Sequence, residues 1–173
     1  MKNLLRALAA LLIGVSAGAY AQSWDKLTTV ETITLKASPD TAWAVVKDYD
    51  SLHKWHPAFA DDVIVAGVNN QMAAVRKLTI KDGPSFTEEL LGWSDYGKTY
   101  TYRILESPLP LKDYSSTLTV TAAVGGGSVI TWSGTFKRPD KLAKPDQDDA
   151  ATMKFISGAY QAGLQNVKKM VDN

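Results

Sequence analysis

Apolar and polar residues alternate along most of the chain, and this alternation predicts a sheet of about seven strands. Val30, Thr32 and Thr34 follow the period of two that places alternate side chains on opposite faces of a strand. Six further segments have the same period, and short clusters rich in Gly, Asn and Asp separate most of them. Such brief connections favour antiparallel pairing of consecutive strands. The six segments span residues 63–66, 72–80, 85–93, 99–105, 114–121 and 129–136.

Two short helices are predicted between the first strand and the second. Ser38 suits the N-cap position and Pro39 the first helical position. Apolar residues then recur at spacings of three and four over residues 42–49. Residues 52–55 add one more turn, which ends because Pro57 disfavours the helical conformation in the residue before it.

A long helix is predicted over residues 149–171, because its apolar residues also recur at spacings of three and four. At a rise of 1.5 Å per residue this helix would measure roughly 34 Å, which is long enough to cross a sheet. Gly158 and Gly163 each cost about 1 kcal/mol relative to alanine. They indicate either close backbone approach to the layer beneath or glycines that are merely tolerated.

This order of elements predicts an α+β helix-grip fold. A strongly curved antiparallel sheet of about seven strands would wrap the long C-terminal helix, with a cavity between the two. The chain has 173 residues. Residues 22–173 are within the size of one domain that buries its own core, and we expect a single domain there.

The first 21 residues have the pattern of a secretory signal peptide. Lys2 and Arg6 precede an uncharged run over residues 7–19, which is shorter than the roughly 20 apolar residues of a membrane span. The sequence Ala19-Tyr20-Ala21 matches the small-x-small cleavage site. We therefore predict cleavage after Ala21, export to the periplasm and no stable membrane anchor afterwards.

Charge and cysteine content exclude several classes of protein. Removal of residues 1–21 changes 19 basic against 18 acidic residues to 17 against 18, a net charge of about −1. This balance argues against a nucleic-acid partner, which usually requires a strong basic excess. The chain has no cysteine, so disulfides, thiolate nucleophiles and cysteine metal sites are all excluded.

Arg76 and Glu88 are the charged residues that the strand pattern places on apolar faces. A hairpin through Asp82-Gly83 would set Glu88 beside Arg76, which makes burial of both charges tolerable. The pair is either a structural salt bridge at the rim of the sheet or part of a ligand site. Glu89 would lie on the opposite, solvated face.

Aromatic residues on three later strands could form one wall of the cavity. Tyr102, Tyr114 and Trp132 each share a strand face with other apolar residues. They are either plain core or ligand contacts. The tyrosines are informative because a buried hydroxyl requires a hydrogen-bond partner.

The histidines His53 and His56 lie three residues apart in a connector, residues 48–57. No acidic third ligand has a fixed spacing to them, and we expect no metal site. His56 is interpreted as a hydrogen-bonding group at the cavity mouth, with a general-base role as the alternative. We expect Trp55 to pack against the last helix.

The sequence contains none of the usual catalytic or cofactor-binding motifs. It has no Ser-His-Asp order, phosphate-binding glycine loop or metalloprotease motif. We therefore predict no catalytic residues and no cofactor. Residues 139–149 form a charged segment that would hang over one end of the cavity, either to steer a protein partner or as a solvated loop.

Several short motifs, together with the order of elements, resemble the START-related superfamily, which is also called SRPBCC or polyketide cyclase-like. The resemblance implies the helix-grip fold and a cavity, but this fold carries lipid carriers, receptors and cyclases alike. The candidate ligand-binding residues in the cavity are Trp55, His56, Arg76, Glu88, Tyr102, Tyr114 and Trp132. The motifs are Trp55-His56-Pro57, Arg76-x-Leu78, Asp82-Gly83, Glu88-x-Leu90 and the strand pair around Trp132.

A narrower resemblance is to MxaD-type proteins, which are periplasmic accessories to methanol oxidation. It rests on phrases such as Lys47-Asp48-Tyr49, Thr101-Tyr102-Arg103 and residues 161–169. The resemblance implies a non-catalytic protein whose partners are a methanol dehydrogenase and its c-type cytochrome. The alternatives are a carrier of a small hydrophobic ligand or lipid, and a polyketide cyclase- or aromatase-like enzyme that uses His56, Glu88 and Tyr102.

Overall fold

The computed structural model of the protein describes residues 26–109, 111–138, 144 and 148–173. The predicted signal peptide lies outside the described residues, and so does most of the charged segment 139–149. In the part of the chain that is described, no helix combines the length and the apolar character needed to cross a membrane.

Within the described part of the chain, seven antiparallel strands form one sheet, which confirms the predicted meander. The strands are β1 (Leu27–Leu35), β2 (Phe59–Ala66), β3 (Val75–Ile80), β4 (Ser85–Ser94), β5 (Thr99–Glu106), β6 (Lys112–Ala122) and β7 (Ser128–Lys137). Their order across the sheet is β1-β7-β6-β5-β4-β3-β2. Every strand from β2 to β7 pairs with its neighbour in sequence, and β1 returns to pair with β7.

The described residues also form three helices, and all three were predicted. They are α1 (Pro39–Val46), α2 (Leu52–Trp55) and α3 (Asp149–Val171). The Ser38 side chain accepts a hydrogen bond from the Thr41 amide at 3.2 Å, as expected for an N-cap. Asp148 caps α3 in the same way, accepting from the Ala151 amide at 2.8 Å. The helix-grip plan is therefore confirmed.

The predicted strands depart from the structure at two ends. Residues 72–74 precede β3 instead of belonging to it, because Ala73 adopts a left-handed backbone with φ of 67°. β2 begins at Phe59, four residues before the predicted start. Its first half contains Asp61-Asp62, a pair typical of turns, yet Asp62 is buried at 4 % exposure.

The two glycines of α3 have different roles. A Cβ atom at Gly163 would lie 2.6 Å from His56 Cδ2 and 3.1 Å from both Trp55 and Trp132. Close approach is thus the reason for this glycine. A Cβ atom at Gly158 would meet nothing within 4 Å, so of the two alternatives a tolerated glycine holds there.

The end of α3 is tied to the end of β1. The Asp172 carboxylate accepts hydrogen bonds from the Lys36 amide at 2.8 Å and the Ala37 amide at 3.1 Å. Lys168 donates to the Thr34 carbonyl at 2.7 Å and to Asp172 at 3.1 Å. The first strand and the last helix are therefore held together at one edge of the sheet.

Candidate functional site

A cavity of about 810 Å³ lies between the concave face of the sheet and the N-terminal half of α3. Most of its lining is apolar, because the inward positions of β3, β4 and β5 carry aliphatic and aromatic side chains. At its mouth, the Phe155 side chain is half exposed and Lys154 is the lysine that lines it among the described residues. The apolar lining includes Leu78, Ile80, Phe86, Ile104, Leu109 and Leu111.

Five of the seven candidate residues line this cavity, namely His56, Glu88, Tyr102, Tyr114 and Trp132. The other two lie outside its lining, and the physical reason is packing in both cases. Trp55 is 1 % exposed and packs under Gly163, and its carbonyl accepts a hydrogen bond from Asn166 at 3.0 Å. Arg76 lies behind Glu88 and is also 1 % exposed. Ligand binding by the five lining residues stays a prediction.

Arg76 is the centre of a buried ion network. β3 and β4 pair so that Arg76 stands opposite Glu88, as the hairpin predicted. Its Nε and Nη2 donate to Glu88 Oε2 at 2.9 and 2.7 Å. Its Nη1 donates to the Tyr49 carbonyl at 2.6 Å and approaches Asp62 Oδ2 at 3.4 Å. The pair is therefore in the interior and not at the rim of the sheet.

Aromatic rings enclose the guanidinium on two sides. The Arg76 Cζ atom lies 4.1 Å from the centre of the Tyr49 ring and 5.1 Å from that of the Tyr102 ring. Cation–π contacts of this kind stabilise a desolvated guanidinium by about 2 kcal/mol. The network thus joins the connector to the sheet without exposing its positive charge to the cavity.

The Glu88 carboxyl presents one oxygen to the cavity. Both hydrogen bonds from Arg76 end on Oε2, and within the described residues no hydrogen bond reaches Oε1. Burial raises the pKa of Glu88 to about 7, although the nearby Arg76 charge opposes this rise. The Glu88 carboxyl therefore changes its protonation state near neutral pH. Burial likewise raises the pKa of Asp62 to about 6.

A chain of hydroxyl groups forms a second polar region. Ser116 donates to a backbone carbonyl of β7 at 2.8 Å, so it must accept from Tyr160 at 3.0 Å. Tyr160 in turn accepts from Tyr114 at 2.5 Å. Trp132 Nε1 donates to Ser116 at 3.0 Å and to Tyr102 at 3.1 Å. Burial raises the pKa of Tyr160 to about 12, which keeps its hydroxyl neutral.

His56 is a structural link between the connector and α3. Its Nδ1 accepts from the Ala58 amide at 3.2 Å, which fixes the proton on Nε2, and Nε2 donates to the Ala159 carbonyl at 2.8 Å. Burial lowers the pKa of His56 and keeps the ring neutral. Since both nitrogens are engaged and the residue is 2 % exposed, His56 is neither a group at the cavity mouth nor a free general base.

The other polar predictions also have outcomes in the structure. Glu89 does lie on the face opposite the cavity. Its carboxylate is not solvated by water alone, because it accepts a hydrogen bond from Arg103 Nε at 2.6 Å. Among the described residues, no three His, Cys, Asp or Glu side chains form a group that could hold a metal ion.

Sequence reasoning missed three residues of these networks as functional candidates. Asp62 carries no periodic signal, because its burial depends on Arg76 and on the Leu52 amide, which donates to it at 3.0 Å. Tyr160 and Ser116 did carry a signal. Each shared the apolar face of its predicted element, and a hydroxyl on such a face needs a partner.

Comparisons with known proteins agree with this architecture. The chain is similar to the protein XoxI from Bacillus cereus at 26 % identity, with a TM-score of 0.73 over 83 % of this chain and 94 % of that one. It is similar to a putative uncharacterised protein from Bacillus thuringiensis at 26 % identity, with a TM-score of 0.72 over 83 % and 98 % of the two chains. A protein from Nitrosospira multiformis at 16 % identity shares the fold, with a TM-score of 0.70 over 84 % and 96 %.

The family comparison covers nearly all of the described chain. No curated protein matches significantly. The family described as polyketide cyclase / dehydrase and lipid transport matches residues 26–172. This result confirms the START-related, SRPBCC-type resemblance, whereas membership of the MxaD-type group stays a prediction. The chain belongs to the polyketide cyclase / dehydrase and lipid transport family.

Proposed function

We propose that the protein binds a small, largely apolar ligand in the cavity between the sheet and α3. The observation that supports this proposal is the cavity itself, about 810 Å³ of space with a mainly apolar lining. Ligand pockets in proteins measure about 300–1,000 Å³ and combine such walls with a few polar groups. Each Å² of apolar ligand surface that leaves water contributes about 25 cal/mol to binding.

The polar groups support binding more than catalysis. An aromatase- or cyclase-like reaction would need an acid and a base that converge on the substrate. His56 has both ring nitrogens engaged, and the hydroxyls of Tyr114 and Tyr160 bond to each other. Of the inner carboxyl and imidazole groups in the described lining, Glu88 has an oxygen without a hydrogen bond, and one carboxyl serves recognition as well as it serves proton transfer.

A fluorescent binding assay with N-phenyl-1-naphthylamine, a neutral apolar probe, tests this proposal. We expect the probe to bind the protein and Ile104→Trp to weaken its binding at least tenfold, because Ile104 lines the cavity and a larger ring would fill it. Leu105→Trp is the matched control. Leu105 is the next residue in β5 and is 46 % exposed on the other face, so its replacement should leave binding unchanged.

Two results would contradict the proposal. The first is the absence of binding in protein purified from its own source and in recombinant protein alike. Neither sample would then bind the probe, and native mass spectrometry would detect no bound component of a lipid extract. The second is equal loss of binding in both variants, which would place the probe on the surface of the sheet.

The resemblance to MxaD-type proteins supports a second function, an accessory role in periplasmic methanol oxidation. Its partners would be a methanol dehydrogenase and the c-type cytochrome that accepts its electrons. We expect the purified protein to change the rate of electron transfer between the two. An unchanged rate, with no complex at low salt, would contradict this role. Mature protein that still carries residues 1–21 would contradict the proposed export.

A further inference from the structure

Most of the polar atoms around the cavity already have partners. Tyr114 donates to Tyr160 at 2.5 Å, Tyr160 donates to Ser116 at 3.0 Å, and His56 uses both ring nitrogens. A ligand gains little from groups that must first give up a hydrogen bond. These groups shape the wall without selecting the ligand.

Glu88 differs from these groups, because its Oε1 has no hydrogen bond within the described residues and the residue lines the cavity. The Glu88 side chain is 5 % exposed, and Oε1 is not among the inaccessible polar atoms that lack a partner, so it can be reached from the cavity that Glu88 lines. A ligand group that reaches Oε1 would form a hydrogen bond that the described protein groups do not supply.

The groups that face Glu88 come from every element around it. Their net charge is set by one guanidinium and two carboxyls, since the tyrosines are neutral. The groups are Arg76 on β3, Asp62 on β2, Tyr49 in the connector, Tyr100 and Tyr102 on β5, Tyr114 on β6 and Tyr160 on α3.

We propose that the cavity selects apolar ligands that carry a neutral hydroxyl group, and that this hydroxyl pairs with Glu88 Oε1 at the inner wall. The inference rests on the proposed function and adds the chemical class of the ligand. A hydroxyl can donate to an ionised carboxyl and accept from a protonated one. It therefore suits Glu88 in both protonation states, and both are populated because the pKa of Glu88 is raised to about 7 by burial.

Other ligand groups fit less well. A carboxylate that reached Glu88 would bring a third negative charge beside Arg76, which Glu88 and Asp62 already hold. Lys154 also lines the cavity, but a carboxylate paired with it at the mouth would leave Glu88 Oε1 without a partner. An ammonium has three N–H donors, and Glu88 Oε1 could satisfy one of them. A ketone only accepts, so it would pair with Glu88 only while that carboxyl is protonated.

The test is a series of naphthalene ligands that differ in one group. They are 2-methylnaphthalene, 2-naphthalenemethanol, 2-acetylnaphthalene, 2-naphthylmethylamine and 2-naphthoic acid. We expect the alcohol to bind about fivefold to tenfold more tightly than the methyl compound, which corresponds to one net hydrogen bond. The amine and the acid should bind more weakly than the alcohol.

The pH dependence sharpens the test. Affinity for the alcohol should change little between pH 6 and 8, whereas affinity for the ketone should fall as the pH rises through about 7. In Glu88→Gln the amide oxygen would face Arg76 and the NH₂ group would face the cavity. The ketone should then bind independently of pH. Glu89→Gln is the matched control, since Glu89 pairs with Arg103 on the opposite face, and it should retain the wild-type profile.

Each outcome has a distinct meaning. If the methyl compound binds and the alcohol shows no advantage, the hydroxyl selection is wrong while the proposed binding function stands. If no member of the series binds, the proposed function fails as well. If the affinity for the ketone depends on pH in the same way in Glu88→Gln and in the wild type, the polar contact lies elsewhere. Circular dichroism confirms that each variant is folded.

Discussion

The interior has two halves that share one sheet face and differ in what covers it. In the filled half, α1 and the connector place Trp43 and Tyr49 against Tyr100, with ring centres 6.1 Å apart in both pairs. In the other half, α3 stands away from the sheet and leaves the cavity. Buried polar groups in this protein therefore have two roles. Some form hydrogen bonds with the segment that covers the sheet, and others line the cavity.

The filled half is held by bonds to the connector backbone. Arg76 donates to the Tyr49 carbonyl at 2.6 Å, and Asp62 accepts from the Leu52 amide at 3.0 Å. Asn70 accepts from the Tyr49 amide at 2.9 Å. Charged and polar side chains of β2, β3 and the loop between them thus bond to the connector backbone around α2.

The largest expected effect comes from the loss of the central cation. Arg76→Leu leaves Glu88 and Asp62 buried without a positive partner, and we expect the free energy of unfolding to fall by about 3–5 kcal/mol. Urea denaturation at neutral pH measures this change. Arg103→Leu breaks the outer Arg103–Glu89 pair, where Arg103 is 53 % exposed, and should cost only about 0–1 kcal/mol. Equal losses in the two variants would contradict the distinction between buried and outer pairs.

The second comparison uses two glycines of α3. Gly163→Ala forces a Cβ atom to within 2.6 Å of His56 Cδ2, and we expect destabilisation by about 2 kcal/mol. Gly158→Ala meets nothing within 4 Å and should stabilise the helix by about 0.5–1 kcal/mol. Thermal unfolding measures both changes in stability, and opposite signs would support the difference between the filled half and the half with the cavity. A stabilised Gly163→Ala variant would show that α3 is free to move away from the connector.

The smallest effect is a dependence of stability on pH. Because the pKa of Glu88 is raised to about 7 in the folded state, the folded protein binds more protons than the unfolded chain between pH 4.5 and 7. Its stability should therefore fall as the pH rises in this range. The Glu88→Gln variant has no carboxyl at this position and should not lose stability in this way. Between pH 6 and 8 its free energy of unfolding should therefore rise, relative to that of the wild type, by on the order of 1 kcal/mol. A constant difference across that range would contradict a proton held by Glu88.

Much of the fold could be predicted because its signals are local. Strict alternation gave the inward faces of β4 to β7, and the apolar spacing gave α3 its observed bounds, Asp149–Val171. The start of β2 was missed because Asp61-Asp62 has the composition of a turn. Its burial depends on Arg76, fourteen positions away, and no local pattern contains that information.

The candidate site was predicted in part for the same reason. The hairpin register placed Glu88 beside Arg76, and the strand faces gave Tyr102, Tyr114 and Trp132. What the pattern could not show is which inward residues face space and which face the connector. Trp55 and Arg76 have the same inward character as the lining residues, but tertiary packing covers them.

The link from Asp172 to Lys36 and Ala37 has a consequence for the order of folding. Among the described residues β1 pairs with β7, and the amides that follow β1 donate to the Asp172 carboxylate, 136 and 135 positions away. Contacts of such long sequence separation slow the search for the native state. We expect this edge of the sheet to close late in folding, so that removal of residues 172–173 would raise the unfolding rate.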